Sequence, residues 1–121
     1  KLVNLHRIWA GNLNILYKDR KLRELCEKRA VAEKKMGAPC AAKLRIRLSA
    51  LEAASRVTDL VAGHPHPLKG SRAGQFALDL SGGWRLVFAQ AHDPCPTNTD
   101  GSIDWHQVTI ICIEYIGDYH D

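Results

Sequence analysis

The stretch from Gln75 to Phe88 constrains this chain most. Phe76, Leu78 and Leu80 alternate with Gln75, Ala77 and Asp79, Gly82-Gly83 interrupts, and Trp84, Leu86 and Phe88 alternate again. A period of two on both sides of a glycine pair is the pattern of a β-hairpin, because paired glycines accept the positive φ angles of a tight reversal. One face of such a hairpin is apolar and has to be covered by another layer. The residues feeding into it read His-Pro-His-Pro-Leu-Lys-Gly-Ser-Arg from His64 to Arg72. That is a proline-stiffened basic loop, predicted to be neither helix nor strand interior. A cationic loop entering a rigid sheet is a sound place to bind phosphate.

The covering layer comes from the residues before the loop. Asn14 to Tyr17 is a short apolar run that suits a first strand. Asp19 is placed to N-cap a helix running to about Lys35, with Leu22, Leu25, Cys26, Arg29 and Ala32 or Glu33 on one stripe. Gly37 ends that helix, and Pro39 sits in the first turn of the next, where its missing N–H costs little. Leu44, Leu48 and Leu51 mark the core face of this second helix, with Ala41 and Ala54 allowing close approach. Lys43, Arg45 and Arg47 are expected on its opposite, basic side. The short Gly37-Ala38-Pro39 connection makes the pair an antiparallel helical hairpin.

After the β-hairpin, residues 91–106 hold two prolines and a glycine and are expected to form an exposed irregular connection of unusual length. Val108 to Ile116 is nearly uninterrupted apolar and β-branched, which predicts a strand buried on both faces. The order is strand, two helices, then at least three strands. It predicts an α+β domain with a helical hairpin packed on one face of a largely antiparallel sheet. Residues 1–12 show no period and are read as an N-terminal extension or expression remnant, leaving 13–121 as one domain. A chain of 121 residues, 45% hydrophobic, is of the size that builds a single core.

Charge is divided sharply along the chain. Residues 1–72 hold 16 of the 17 Lys and Arg against 6 acids, whereas residues 73–121 hold one Arg and 7 acids. A basic half that ends in a phosphate-suited loop favours a polyanionic partner, with nucleic acid the obvious class. No apolar run approaches the roughly 18 residues of a membrane span, and no signal-peptide pattern is visible, so a cytoplasmic protein without membrane contact is expected. Cys26, Cys40, Cys95 and Cys112 are widely spaced with no CxxC pair. They are read as reduced thiols, with Cys26 and Cys112 the two expected to be buried.

Three motifs in order then carry a resemblance. They are His66-Pro67-Leu68-Lys69-Gly70 followed by Arg72-Ala73-Gly74, then Trp84-Arg85-Leu86-Val87-Phe88, then Asp118-Tyr119-His120. Behind a basic helical hairpin, this arrangement resembles the RelE/ParE superfamily of toxins, and within it the plasmid-maintenance killer-protein (HigB-like) branch, across about residues 13–121. The resemblance implies a toxin that binds the ribosome and cleaves mRNA in the decoding site. It also implies a cognate antitoxin, usually a helix-turn-helix protein, whose complex with the toxin binds operator DNA. The long 91–106 connection and the first dozen residues depart from the family pattern.

Metal-independent RNA cleavage needs the 2′-hydroxyl to attack phosphorus while the 5′-oxygen leaves. The site therefore needs a base, an acid and fixed cations. His120 suits the acid/base role, its alternative being a frayed tail residue. Arg85 suits a phosphoryl clamp, its alternative being a solvent-facing partner for Asp79. Lys69 is a further phosphate cation or proton donor, or simply a solvated lysine. Tyr119 stacks on a base or bonds phosphate, or else packs the end of the last strand. His66 and Arg72 are expected to contact RNA, and His66 has an equal structural reading. Lys43, Arg45 and Arg47, with Lys34 and Lys35, would add salt-sensitive affinity for ribosomal RNA.

No cofactor is implied. Only His64 and His66 are close enough to suggest a metal pair, and no metal site is expected. No glycine-rich nucleotide loop is present, and Ser71 lies in no nucleophile motif. Two rivals share the fold: a non-enzymatic binding toxin of the kind that poisons DNA gyrase, and an inactive relative that only binds antitoxin and operator.

Overall fold

The computed structural model describes residues 11–118. It begins with β1 (Asn14–Tyr17), then α1 (Arg20–Glu27), α2 (Arg29–Met36) and α3 (Ala38–Ala53). A two-residue strand β2 (His66–Pro67) leads into β3 (Gln75–Asp79), β4 (Trp84–Gln90) and β5 (Ile110–Asp118). The sheet order is β1-β5-β4-β3-β2, with β1 parallel to β5 and every other pairing antiparallel. The expected α+β architecture is present, and the helices lie on one face of the sheet.

Local signals place most of these elements. The Asp19 carboxylate accepts from the Leu22 backbone N–H at 2.9 Å and starts α1. Gly37 adopts φ 86°, donates to the Glu33 carbonyl and separates α2 from α3, whose first turn holds Pro39. The single first helix expected from Asp19 to about Lys35 is instead broken at Lys28, which is extended (φ −117°, ψ 106°). The break leaves both helices bonded: Lys28 N–H donates to Glu24, and the Lys28 carbonyl accepts from Ala32. Lysine is a good helix former, so nothing in local propensity marks this position. The new direction brings Ala32 and half-buried Met36 onto the core.

That core lies between the helices and one face of the sheet. Leu44, Leu48 and Leu51 from α3 meet Phe76, Leu78, Leu86, Phe88, Ile111, Ile113 and Ile116. The long connection contributes too. Trp105 stands against Phe76 at 4.9 Å and edge-on to Phe88 at 6.4 Å, so segment 91–106 is packed at its C-terminal end rather than wholly exposed. His92 pins its other end, its Nε2 accepting from the backbone N–H groups of Thr109 and Ile110.

Three expectations are corrected by the sheet. The basic loop supplies an edge strand, His66 pairing with Ala77 and Pro67 with Phe76; an edge tolerates proline because one side of the strand has no ladder to serve. The last strand is not buried on both faces. Ile111 and Ile113 are fully covered while Ile110 and Cys112 are half-exposed, because the helices cover only one side. The second fully buried thiol is accordingly Cys40, in the α3 interface, and not Cys112. Burial pushes the Cys26 thiol up to about 12, against an opposing effect of Arg45, and pushes Cys112 up to about 11.

A bulge in β5 decides what the other face carries. Val87 pairs with Tyr115, but the next residue, Phe88, pairs with Ile113, so Glu114 is an extra residue in the ladder. The inserted residue reverses the side-chain alternation. Ile116 stays on the core side despite the odd-numbered pattern of Ile111 and Ile113, and Tyr115 is turned to the face away from the helices.

Candidate functional site

That second face is built from residues that alternate with the core. Ala77 and Val87 are fully buried there under Leu68 and Tyr115, forming a small apolar cluster of their own. Charged groups surround it. Arg72, in the turn Gly70–Arg72, holds its guanidinium carbon 4.7 Å from the centre of the Tyr115 ring and donates to the Gln75 side chain at 3.3 Å. The Tyr115 phenol lies over Gly117, where any side chain would overlap it. Gly117 pairs with Arg85, so the ring and the Arg85 position are neighbours across β4 and β5.

Arg85 is also paired with Asp79 on β3, and the two side chains meet, Nε donating to Oδ1 at 3.1 Å. The partnership offered as the alternative reading of Arg85 is therefore real. The bond fixes the Arg85 guanidinium on the face away from the helices. His64 approaches the other carboxylate oxygen, with Nδ1 3.6 Å from Oδ2. Its ring stacks on His66 at 4.3 Å, and His66 Nδ1 donates to the His64 carbonyl at 2.7 Å. Lys69 is exposed in the loop after β2, its carbonyl accepting from Arg72 N–H.

The structure therefore brings Arg85, Arg72 and His66 to one side of the sheet, with Lys69 in the loop between His66 and Arg72. It does not bring the α3 cations there. Lys43 and Arg45 are exposed on the helix layer, across the sheet from Arg85, and Arg45 is bonded to Glu52 at 3.1 Å. Arg47, expected on the basic side of its helix, is buried at 9% exposure. Its Nε donates to the Asp79 carbonyl at 2.9 Å. A pattern of lysines and arginines at 43, 45 and 47 reads as one solvated face, but the helical turn carries position 47 round to the sheet. Tyr119 and His120 lie outside the described residues; Asp118, the last described residue, pairs with Trp84 next to Arg85.

Solved structures share this fold. A YoeB/ParE toxin from Agrobacterium tumefaciens matches with a TM-score of 0.56 at 12% identity, covering 89% of this chain and 100% of its own. The chain has the YoeB/ParE toxin fold. A YoeB dimer from Staphylococcus aureus gives 0.54 at 16% identity, and a YoeB–YefM complex from the same organism gives 0.51 at 17%. Each of the latter two covers 92% of this chain and all of its own. Neither a family model nor a curated protein sequence matches the chain.

Two residues that the fold sets on the open face, Tyr115 and His64, were not legible as such in the sequence. Tyr115 sits in an apolar run whose alternation places it only after the bulge is known. His64 precedes the quoted motif and reads as a loop residue. The one available signal is its backbone: His64 takes φ 52°, a left-handed conformation uncommon outside glycine. Among the described residues, no helix is long and apolar enough to cross a membrane.

Proposed function

We propose that this chain is the toxin of a type II toxin–antitoxin pair, of the HigB-like kind, and that it cleaves ribosome-bound mRNA without a metal. The observation that carries the reading is the convergence of Arg85, Arg72 and Tyr115 on the sheet face away from the helices. Guanidinium groups fixed by Asp79 and by an aromatic ring are preorganised for a phosphodiester, and the aromatic ring between them suits a splayed base. His120, two residues after Asp118 in sequence, is the assigned acid/base, with Tyr119 beside it in sequence. Lys69 adds charge for the developing phosphorane, and His66 orients the loop that carries it.

The partner proposed for the toxin is a cognate antitoxin, in keeping with the YoeB–YefM complex among the fold neighbours. A helix-turn-helix antitoxin and operator binding by the pair follow from the HigB-like reading. Lys43 and Arg45, on the helix layer, would meet ribosomal RNA rather than the scissile phosphate. Arg47 is withdrawn from that role because it is spent on Asp79.

The deciding experiment is message cleavage in a purified translation reaction with wild type, Arg85→Ala and His120→Ala, each first checked for native circular dichroism. Wild type is expected to cut, and each variant to lose about 100-fold or more in rate. Intact message alongside growth arrest would overturn the ribonuclease reading and favour a gyrase-type poison. Neither cleavage nor arrest would favour the inactive relative.

A further inference from the structure

Asp79 is tied into the protein twice over by its backbone. Its N–H donates to the Gly63 carbonyl at 2.7 Å, and its carbonyl accepts from buried Arg47 at 2.9 Å. Gly63 lies so close to the Arg47 guanidinium that a Cβ there would fall 2.5 Å from Nε. The strand end therefore needs the Asp79 main chain and not its carboxylate. That carboxylate is turned to the open face, where Arg85 holds one oxygen and His64 stands at the other. His64 reaches it from a left-handed backbone, a conformation that surrounding structure has to enforce and that concentrates at functional sites. His66 stacks on its ring, and His66 Nδ1 donates to the His64 carbonyl.

We propose that Asp79 is a positioning residue: its carboxylate aims the Arg85 guanidinium across the open face, and His64 steadies that carboxylate from its far side. A hydrogen bond at Nε sets the plane in which a guanidinium presents its N–H groups, which is how a clamp is oriented. The inference rests on the phosphoryl-clamp role proposed for Arg85. It adds two residues that touch neither substrate nor reacting atoms and act through that arginine.

The test is a double-mutant cycle on the rate of ribosome-dependent cleavage, using wild type, Asp79→Asn, Arg85→Ala, the double variant and His64→Ala. Asp79→Asn is expected to lower kcat by about 30- to 100-fold with KM little changed, as for a displaced catalytic group. In the Arg85→Ala background the same substitution is expected to do nothing further, and His64→Ala alone to cost less than Asp79→Asn. Additive losses would overturn the proposal, because a merely structural aspartate costs the same with or without Arg85. A second readout does not depend on activity: the Arg85 Nε–Hε resonance in ¹⁵N-labelled protein. It is expected to be sharp and slowly exchanging in wild type and broadened by Asp79→Asn. If wild type fails to cleave, the ribonuclease reading falls and this resonance alone decides whether Asp79 holds Arg85. A resonance unchanged by Asp79→Asn overturns the positioning role in either case.

Discussion

The two faces of this sheet bury side chains to the same degree by different means. On the helix side, Phe76, Leu78, Leu86 and Phe88 are covered by α1, α2, α3 and Trp105 and join one large core. On the open side, Ala77 and Val87 are equally inaccessible, and the apolar side chains on them among the described residues are Leu68 and Tyr115. The first face stores stability, because each side chain loses many neighbours when truncated. The second is a thin apolar floor that keeps charged groups apart from the core and in fixed positions. Arg47 crosses between them, buried with the helices and bonded to the strand that carries Asp79.

Four measurements would break or sharpen that contrast. The largest effect belongs to Phe88→Ala, which should cost about 3–5 kcal/mol in urea unfolding, while its neighbour Val87→Ala should cost only about 1.5–2.5 kcal/mol. Equal losses would make the open face a second core. Next comes the crossing residue. Arg47→Leu strands the Asp79 carbonyl and should cost about 1–3 kcal/mol, and Gly63→Ala should match it by forcing a Cβ at φ 89° into the same guanidinium. A stability loss confined to one of the two would mean that Gly63 and Arg47 are not one seam.

A smaller effect is expected in alkali. Cys26 is protonated in the fold up to about pH 12, whereas an unfolded thiol ionises near 9, so the unfolded state gives up its proton first. Stability from this group is complete below about pH 9 and is lost as pH rises toward 12, by about 1 kcal/mol at pH 10. Thermal melts from pH 8 to 10 should fall less steeply for Cys26→Ala, with half-exposed Cys112 leaving a residual slope in the same direction. Smallest is Asp79→Asn, whose half-buried, solvent-screened ion pair should be worth no more than about 0.5 kcal/mol. A loss above 2 kcal/mol would place Asp79 with the structural face and sink the division proposed between them.

Much of the geometry of the open face was readable in advance because its parts are local. Arg85 and Asp79 fall opposite each other once the Gly82-Gly83 turn sets the register, so their pairing could be weighed from the sequence alone. Lys69 and Arg72 lie on a loop that prolines and glycines mark out. Tyr115 was not readable, since a one-residue bulge at Glu114 has no signature within an apolar run. Nor was the burial of Arg47, since a cation among cations looks solvated until a carbonyl is placed beside it.

What the sequence determined by itself was therefore whatever depends on neighbours within a few residues: the Asp19 cap, the Gly37 stop, the Pro39 start, the hairpin and its register. These are set by backbone angles and hydrogen bonds that a short segment satisfies on its own. The tertiary structure alone decided the break at Lys28, the parallel docking of β1 on β5, the reversal at Glu114 and the partner of Arg47. Each is a choice between local conformations of similar energy, and contacts distant in sequence tip the balance.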